Sequence, residues 1–220
     1  LAQKHFICFG DFRQLSPIAQ SEGDMVEKWL LKDIYEYLNI STDVDKEKYH
    51  PWLVLLNVQR RMHPTISGFV DKRVYNLKLK DDPEIKKQRE PIVKKPPFAD
   101  YAVSMMDLAG TCSFCSRSSD GSRYNLLSAF ISFYMGIYAL ENGQEDVGII
   151  TPYAAQSRLI RSMILDYFNK SSGQNQLSCA TVHQYQGSEK DVIIFDCVDS
   201  YRQKFPGILL TGHKNNTALR

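Results

Sequence analysis

The sequence CATVHQYQGSEKDVIIF, from Cys179 to Phe195, decides the fold class of this chain. It predicts a short strand, a polar turn that contains Gln-Gly-Ser-Glu-Lys-Asp, and then an almost continuous apolar strand. An apolar run of this kind is typical of a central parallel strand that is buried on both faces. The turn is long and rich in functional groups, whereas a plain connector would be short and small. We therefore expect a ligand site at the edge of an α/β sheet.

Helix-like and strand-like patterns alternate along the rest of the 220 residues. This alternation predicts a largely parallel, doubly wound sheet with helices on both faces. The helix predicted at 124–140 is apolar nearly all round, so we expect it to be buried, and it is too short to cross a bilayer. The other predicted strands are 5–9, 52–56, 101–108 and 147–150, and the other predicted helices are 24–38, 64–75 and 153–168, with a polar linker at 39–50.

A charged, proline-bearing segment at 77–97 interrupts the pattern and is expected to be an insertion or loop outside the core. A solvated surface segment is the favoured interpretation, and a basic lip beside a nucleic-acid groove is the alternative. The formal net charge of +2 is too small to indicate a nucleic-acid partner by itself.

The five cysteines indicate a reducing compartment, because their number is odd and Cys8, Cys179 and Cys197 lie in apolar, strand-like runs. We expect buried free thiols in a cytoplasmic protein, with the nucleoid or nucleus as other locations. Cys112 and Cys115 have the spacing of metal ligands, but no second pair accompanies them, so a surface loop is favoured over a metal site. The chain lacks a recognisable signal peptide and starts without Met, and we expect it to be cut from a longer protein.

Two polar segments follow predicted strands directly. Residues 10–17 read GDFRQLSP, and ligands of open α/β sheets bind beyond strand ends, so Gln14 could sense a phosphate oxygen or a polarised water. The alternative is a plain turn that begins at Asp11. Residues 59–64 read QRRMHP, where Arg60 and Arg61 could hold a phosphate or could instead pair with surface acids.

A third segment, GIITPYAAQ at 148–156, joins a predicted strand to a predicted helix. Thr151 can cap this helix, and Pro152 fits its first position. Tyr153 can offer a ring for stacking on a base.

Together these segments resemble four motifs of the superfamily-one helicases, in the family's order. The matches are GDFRQLSP at 10–17 to motif III, QRRMHP at 59–64 to motif IV, ITPYAAQ at 150–156 to the Thr-Pro-Tyr motif, and VHQYQGSEKD at 182–191 to motif V. The chain is most similar to the group typified by the nonsense-mediated-decay RNA helicase and related DNA helicases. The resemblance runs from residue 6 to residue 198.

The resemblance implies two RecA-like domains that clamp ATP and Mg²⁺ between them and move along single-stranded DNA or RNA. Residues 1–20 would then be the tail of the first RecA-like domain, and 21–50 a connecting helix and linker. Residues 51–220 would be the second RecA-like domain, with the insertion at 77–97.

The same resemblance implies roles for particular residues. Gln14 would sense the γ-phosphate of ATP, and Arg61 would reach across to it as an arginine finger does. Glu189 would lie near the nucleotide, where Gly187 lets the backbone come close. The nucleic-acid groove would be lined by Pro152, Tyr153, Thr181 and His183.

The chain also departs from the family pattern. Arg60 stands where relatives usually carry a Tyr that stacks on adenine, although a guanidinium plane can stack on a base too. The phosphate-binding P-loop and the Mg²⁺-binding Asp-Glu pair are absent, and we expect both upstream of Leu1, with no metal ligands in this chain. Residues 216–220 could begin motif VI or lead into it, so no motif VI arginine is assigned.

The resulting prediction is the carboxy-terminal motor domain of an ATP-dependent superfamily-one helicase, inactive as an ATPase by itself. Its partners would be single-stranded nucleic acid and the first RecA-like domain, with no membrane. A non-catalytic, helicase-like scaffold is the alternative, and fusion to a nuclease or another effector is a third hypothesis.

Overall fold

The computed structural model describes residues 4–14, 23–168, 176–201, 203 and 206–207. These residues form two compact units, one made of residues up to 57 and the other beginning at Val58. The division by motif into 1–20, 21–50 and 51–220 stays a prediction. Residues 15–17 of the motif III segment and the motif VI region at 216–220 lie outside the described residues.

The first unit consists of short helices. They are α1 (Asp24–Val26), which continues as a π-helical turn over Glu27–Leu31, α2 (Ile34–Tyr37) and α3 (Ile40–Asp45). The prediction of one helix over 24–38 is wrong, because the Asp33 carboxylate accepts a hydrogen bond from the Glu36 backbone N–H at 2.8 Å and starts a new helix.

Two strands predicted for the first unit, at 5–9 and 52–56, are not found. A strand needs a neighbour to satisfy its backbone hydrogen bonds, and no described residue pairs with either segment. The polar linker predicted at 39–50 is helical in its first half, where Ile40 and Val44 of α3 are buried.

The second unit is organised around β5 (Val147–Thr151). β6 (Leu177–Thr181) pairs with one side of β5 and β7 (Val192–Phe195) with the other, and all three strands are parallel. In the register of the sheet, Val147 lies opposite Leu177, the first residue of β6, and opposite Val192, the first residue of β7. Because β5 lies between two strands that are consecutive in the sequence, the chain from β6 to β7 must cross over β5.

One face of this sheet carries the main core. Val147 and Ile149 of β5 are fully buried, and they share the face with Leu177 and Cys179 of β6. Two helices cover it, α6 (Leu126–Glu141) and α7 (Ala154–Phe168), which contribute Ala129, Ile137, Ala139, Ile160 and Ile164. The predicted strand at 147–150 and the predicted helix at 153–168 are therefore confirmed within a mixed α/β unit that has a parallel sheet.

The opposite face is covered less completely. α8 (Val182–Tyr185) packs there, since a Cβ added to Gly148 would lie 2.7 Å from the Tyr185 hydroxyl. On β7, Ile193 and Phe195 remain 46% and 43% exposed. The prediction that this strand is central and buried on both faces is wrong, because β7 is an edge of the described sheet and only one of its faces packs against helices. A doubly wound, RecA-like arrangement stays a prediction.

Helix α6 begins where the Asn125 side chain accepts a hydrogen bond from the Ser128 backbone N–H at 3.2 Å. The helix was expected to be buried all round, but its apolar surface is buried only where it meets the sheet and α7. One stripe at four-residue spacing points away from that core, and it consists of Leu126, Phe130, Tyr134 and Tyr138, which are 36–64% exposed. Across the described part of the chain, we find no helix with both the length and the apolarity needed to cross a membrane.

Between 58 and 97 the chain forms a smaller parallel pair, β1 (Val58–Gln59) with β2 (Lys80–Asp81). The helix predicted at 64–75 is confirmed as α4 (Pro64–Val70), which continues as a π-helical turn over Asp71–Tyr75. The charged segment at 77–97 is more structured than a loop, because it contains β2 and α5 (Ile85–Val93). Ile85 anchors it, being 1% exposed.

The strand predicted at 101–108 is not found, and most of that segment is exposed. The glycine- and serine-rich loop after it holds a small antiparallel hairpin instead, formed by β3 (Ser116–Arg117) and β4 (Arg123–Tyr124).

All five cysteines are free thiols. Cys179 is buried as predicted, whereas Cys8 and Cys197 are exposed because their runs are not interior strand positions. Burial raises the pKa of the Cys179 thiol to about 12. In the described ranges no group of His, Cys, Asp and Glu side chains has the arrangement of a metal site, the Cys112 and Cys115 pair included.

The packing of α6 on the sheet predicts a difference between two glycine substitutions. A Cβ at Gly136 would lie 2.8 Å from the buried Leu177 Cδ1, whereas a Cβ at Gly68 in α4 meets nothing within 4 Å. Both alanine variants gain similar helix propensity, so we expect Gly136→Ala to have a free energy of unfolding about 1–3 kcal/mol below that of Gly68→Ala. Denaturant unfolding of both variants measures this, and equal stabilities would contradict the packing.

Candidate functional site

Gln59 shapes the turn that carries the two predicted arginines. Its Oε1 accepts hydrogen bonds from the backbone N–H groups of Arg61 and Met62 at 2.9 and 2.8 Å. Its Nε2 donates to the Met62 carbonyl at 2.9 Å and to the Asp81 carboxylate at 2.5 Å. The Gln59 amide therefore connects the end of β1, the turn and β2. Gln59 belongs to the QRRMHP motif, but the motif alone does not predict these contacts.

Arg61 meets the turn between α8 and β7. Its guanidinium donates to the Ser188 carbonyl, and its Nε lies 3.8 Å from Glu189 Oε2. The Arg61 and Glu189 side chains are 56% and 54% exposed. Two residues that are 128 positions apart in the sequence and were predicted to share a nucleotide site are thus neighbours on one open surface.

Arg89 of α5 joins the same cluster, although it belongs to none of the four motifs. Its Nη2 donates to Glu189 Oε1 at 2.8 Å, and its Nε donates to the Arg61 carbonyl at 2.9 Å. Its Nη1 lies 3.7 Å from Asp191 Oδ1. Arg89 is one of many charges in its segment, so no spacing or motif could have identified it.

Arg60 turns away from this cluster and pairs with Asp82 at 2.7 Å. The hydrogen bond from Arg60 lowers the pKa of the Asp82 carboxyl, and the Glu84 backbone N–H adds to the effect. The Arg60 side chain is 78% exposed. This is the pairing with a surface acid that was the alternative for the two arginines, and it is found for Arg60.

The turn before β7 owes its shape to Gly187, whose φ of +82° suits glycine better than any other residue. A Cβ there would meet nothing within 4 Å, so the backbone angle, and not a close approach, explains the glycine. The turn is fixed at its far end, where Lys190 pairs with Asp146 at 2.5 Å and the Asp191 backbone N–H donates to the Asp146 carbonyl at 3.1 Å.

The residues predicted to contact nucleic acid lie at the carboxyl ends of β5 and β6. Pro152 and Tyr153 follow β5 directly and are buried, whereas Thr181 is half-buried and His183 is exposed on α8. Tyr153 is 6% exposed, so in this arrangement its ring has no free face on which a base could stack. Stacking by Tyr153 is therefore not supported by its position.

Tyr153 instead belongs to a polar cluster with Asp199 and Arg123. Its hydroxyl donates to the Asp199 carboxylate at 2.9 Å, and Arg123 donates to the other carboxylate oxygen at 2.7 Å. Burial and the bond to Asp199 raise the pKa of Tyr153 to about 12. The Tyr153 side chain therefore joins Asp199, in the chain that follows β7, to the start of α7.

A buried hydrogen-bond network centred on Gln156 lies beside this cluster. Gln156 is fully buried, and its Oε1 accepts from the Asn125 backbone N–H at 2.9 Å. Its Nε2 donates to Asp196 at 2.7 Å and to the Ser128 hydroxyl at 3.0 Å. Burial raises the pKa of the Asp196 carboxyl, whose Oδ1 accepts from the Val198 backbone N–H at 3.0 Å.

The two predicted groups of residues lie at opposite ends of the sheet. Thr181 is the last residue of β6 and Tyr153 lies two residues after β5, while Glu189 lies just before the amino end of β7. Because the strands are parallel, the two ends are about one strand length apart, or about 15 Å for five residues. The chain between Thr181 and Glu189 spans that distance along the outer face of β5.

Gln14 belongs to the first unit. Its Nε2 donates to the Asp11 carboxylate at 3.1 Å, and its backbone N–H donates to the Asp11 carbonyl at 3.1 Å. These bonds form the Asp-initiated turn that was the alternative interpretation of the motif III segment.

Comparison with known proteins gives one consistent result. Residues 42–220 match the family described as an AAA domain. The chain is 31% identical to helicase sen1 of Schizosaccharomyces pombe over 76% of this chain and 10% of the relative. It is 30% identical to the DNA polymerase alpha-associated DNA helicase A of the same organism, and 30% identical to the regulator of nonsense transcripts 1 of Dictyostelium discoideum, each over 100% of this chain. The matches cover 32% and 16% of those two relatives, so the chain spans about a third of their length at most.

The network around Gln156 predicts a loss of stability for Asp196→Asn. One Asp196 oxygen accepts a hydrogen bond from the Gln156 amide N–H and the other from the Val198 backbone N–H. The NH₂ group of an asparagine would therefore face one of these two donors. We expect the free energy of unfolding to fall by about 1–3 kcal/mol, the usual cost of a buried polar group left without a partner. Denaturant unfolding measures the loss, and unchanged stability would contradict the network.

The raised pKa of Asp196 also predicts a pH dependence. The folded chain holds this proton more tightly than the unfolded chain, whose pKa is near the ordinary value of 3.8. The protonated Asp196 carboxyl therefore makes its full contribution to the free energy of unfolding below the unfolded-state pKa. This contribution is lost as the pH rises through the folded-state pKa. We expect the stability difference between wild type and Asp196→Asn to shrink from acidic to neutral pH, and a difference that grows would show that the ionised carboxylate is the stabilised form.

Proposed function

The chain belongs to the AAA-domain family and to the group of superfamily-one helicases related to the nonsense-mediated-decay helicase, and from this membership we propose that it is the carboxy-terminal motor domain of an ATP-dependent helicase. The observation that carries the proposal is the meeting of Arg61 and Glu189 on one exposed surface. They come from motifs IV and V, and their side chains lie 3.8 Å apart.

The exposed cluster fits the polyphosphate of a nucleotide. The Arg61 guanidinium is bound to a neutral carbonyl oxygen, and its carboxylate partner is not in close contact, so much of its charge remains available. ATP, held with Mg²⁺, would supply the phosphoryl bond whose cleavage drives movement. Arg61 would stabilise the negative charge that develops on the transferring phosphoryl group.

The P-loop lysine and the Asp-Glu pair that hold ATP and Mg²⁺ in this family are not among the 220 residues. We infer that a first RecA-like domain of the whole protein supplies them and that Gln14 belongs to its motif III. In this proposal the second unit folds as a doubly wound, RecA-like domain and contributes Arg61 and Glu189 from across the cleft. Arg60 is exposed enough to stack on adenine if its pairing with Asp82 opens.

For the nucleic-acid surface we propose the carboxyl ends of β5 and β6. His183 and Thr181 would contact a single strand of DNA or RNA, while Pro152 and Tyr153 would shape the loop from beneath. The separation of this surface from Glu189 by about one strand length supports a mechanical connection, since the same chain segment reaches both ends. The whole protein would work in the cytoplasm or the nucleus.

A non-catalytic scaffold is the alternative function. It would bind nucleic acid through the same surface but would have no need for Arg61 and Glu189 to lie together. The exposure of this pair favours the motor, because a purely structural ion pair gains little at a solvent-exposed position.

In the whole protein we expect Arg61→Ala to lower kcat for ATP hydrolysis about 10³-fold or more, the usual contribution of an arginine finger. Binding of single strands should change little, because Arg61 lies at the other end of the sheet from the proposed groove. Steady-state ATPase assays measure kcat, and titrations with single strands measure binding. The control is Lys72→Ala, which removes an exposed cation from the π-helical turn after α4. Equal loss of ATPase activity and strand binding would show that Arg61 is structural.

For the 220-residue chain alone we expect little or no ATP hydrolysis and weak binding of single strands that falls steeply with salt. Hydrolysis can be followed by phosphate release, and binding by fluorescence anisotropy at about 50 mM and about 200 mM salt. Turnover at the rate of a complete helicase would contradict the view that half of the active site lies outside this chain.

A further inference from the structure

Arg89 contacts both turns of the candidate nucleotide site, the one that carries Arg61 and the one that carries Glu189. Its guanidinium binds Glu189 at 2.8 Å and the backbone carbonyl of Arg61 at 2.9 Å, and it lies 3.7 Å from Asp191. The planar guanidinium presents its donors in a fixed fork, so the two acceptors that it binds at once, the Glu189 carboxylate and the Arg61 carbonyl, are held in position relative to each other. Arg89 therefore links the motif IV turn to the motif V turn.

The distances show which arginine holds Glu189. The Arg89 to Glu189 contact is a full hydrogen bond at 2.8 Å, whereas the nearest Arg61 atom lies 3.8 Å from the other carboxylate oxygen. The Arg89 side chain is 26% exposed, against 56% for Arg61. The more buried arginine thus neutralises the acid, and the more exposed one keeps its charge toward solvent.

The charge balance of the cluster depends on Arg89. Arg61 and Arg89 are opposed by Glu189 and Asp191, so the four side chains sum to zero. Without Arg89, two carboxylates would face a single guanidinium, and the cluster would carry a net charge of −1. That charge repels an anionic nucleotide and draws Arg61 into a closed pair with Glu189.

We propose that Arg89 is a positioning residue for nucleotide hydrolysis, which holds Glu189 so that Arg61 stays free to meet the γ-phosphate. The inference rests on the proposed function. It assigns to the charged segment at 77–97 a part in the nucleotide site, where the sequence favoured a solvated surface segment. Arg89 does not itself touch the nucleotide in this proposal.

The test measures ATP hydrolysis by the whole protein in the presence of single-stranded RNA or DNA. For Arg89→Ala we expect KM for ATP to rise about fivefold or more and kcat to fall about tenfold or more, because both the charge balance and the placement of Arg61 are lost. The control is Lys87→Ala, which removes an exposed cation from the same helix and should change neither constant.

Arg89→Lys separates positioning from charge. A lysine keeps the positive charge, so KM should stay within about twofold of wild type. Its ammonium group lacks the planar fork that binds Glu189 and the Arg61 carbonyl together, so kcat should remain low. A residue needed only for folding would not separate the two constants in this way. If Arg89→Ala does not fold, the lysine variant still tests the proposal, because it should combine a nearly wild-type KM with a lowered kcat. Wild-type values for both constants in Arg89→Lys would overturn the proposal.

A double-mutant cycle with Glu189→Gln checks the route of the effect. If Arg89 acts through Glu189, the loss of kcat in the double variant should be much smaller than the product of the two single losses. Additive losses would overturn the inference.

Failure of the inference can be distinguished from failure of the proposed function. A whole protein that hydrolyses no ATP would overturn both. If Arg61→Ala abolishes turnover while Arg89→Ala behaves as Lys87→Ala does, the motor assignment stands and the role of Arg89 is overturned.

Discussion

The second unit depends on the fully buried amide of Gln156. This one side chain bonds the backbone of Asn125, where α6 begins, and the carboxylate of Asp196, which follows β7, while its own backbone lies in the first turn of α7. A buried amide that lost these partners would be costly, so the two helices and the end of the sheet are tied to one geometry. Packing of Ala129, Ile160 and Leu177 then supplies the apolar contribution to stability.

This one-sided construction explains where the candidate sites lie. α6 and α7 occupy one face of the sheet, so the chain from β6 to β7 must cross on the other, past Gly148. The crossing brings Glu189 to the amino end of the sheet, while Thr181 stays at the carboxyl end. A nucleotide site and a strand-binding site at opposite ends of a stiff sheet are the arrangement that the motor proposal needs.

The cluster around Glu189 shows how charge can be divided between similar residues. Three arginines lie in or beside this cluster, yet the closest acceptor of each is different. Arg60 is held by Asp82, Arg89 by Glu189, and Arg61 mainly by a neutral carbonyl group. An arginine whose charge is least neutralised is the one suited to an incoming anion, and this difference arises from the positions of the acids and not from the arginines themselves.

The sequence by itself determined the family, the α/β class and the longer elements of the second unit. Gly187 and the residues of motifs IV and V are local requirements for turns and functional groups. Pro64 fits the first turn of the helix at 64–75, and helix periodicity identified 153–168, where Ile160 and Ile164 pack in the main core. Gln14, by contrast, lies in a turn of the first unit, and its role stays a prediction.

Only the tertiary structure decided which apolar residues are covered and which charges meet. The strands predicted at 5–9, 52–56 and 101–108 failed because a strand exists through its neighbour, which no local pattern specifies. Tyr153 is buried because Asp199 and Arg123 arrive from distant parts of the chain. Arg89 reached the site for the same reason: its partners are 28 and 100 residues away in the sequence, and only folding brings them within hydrogen-bonding distance.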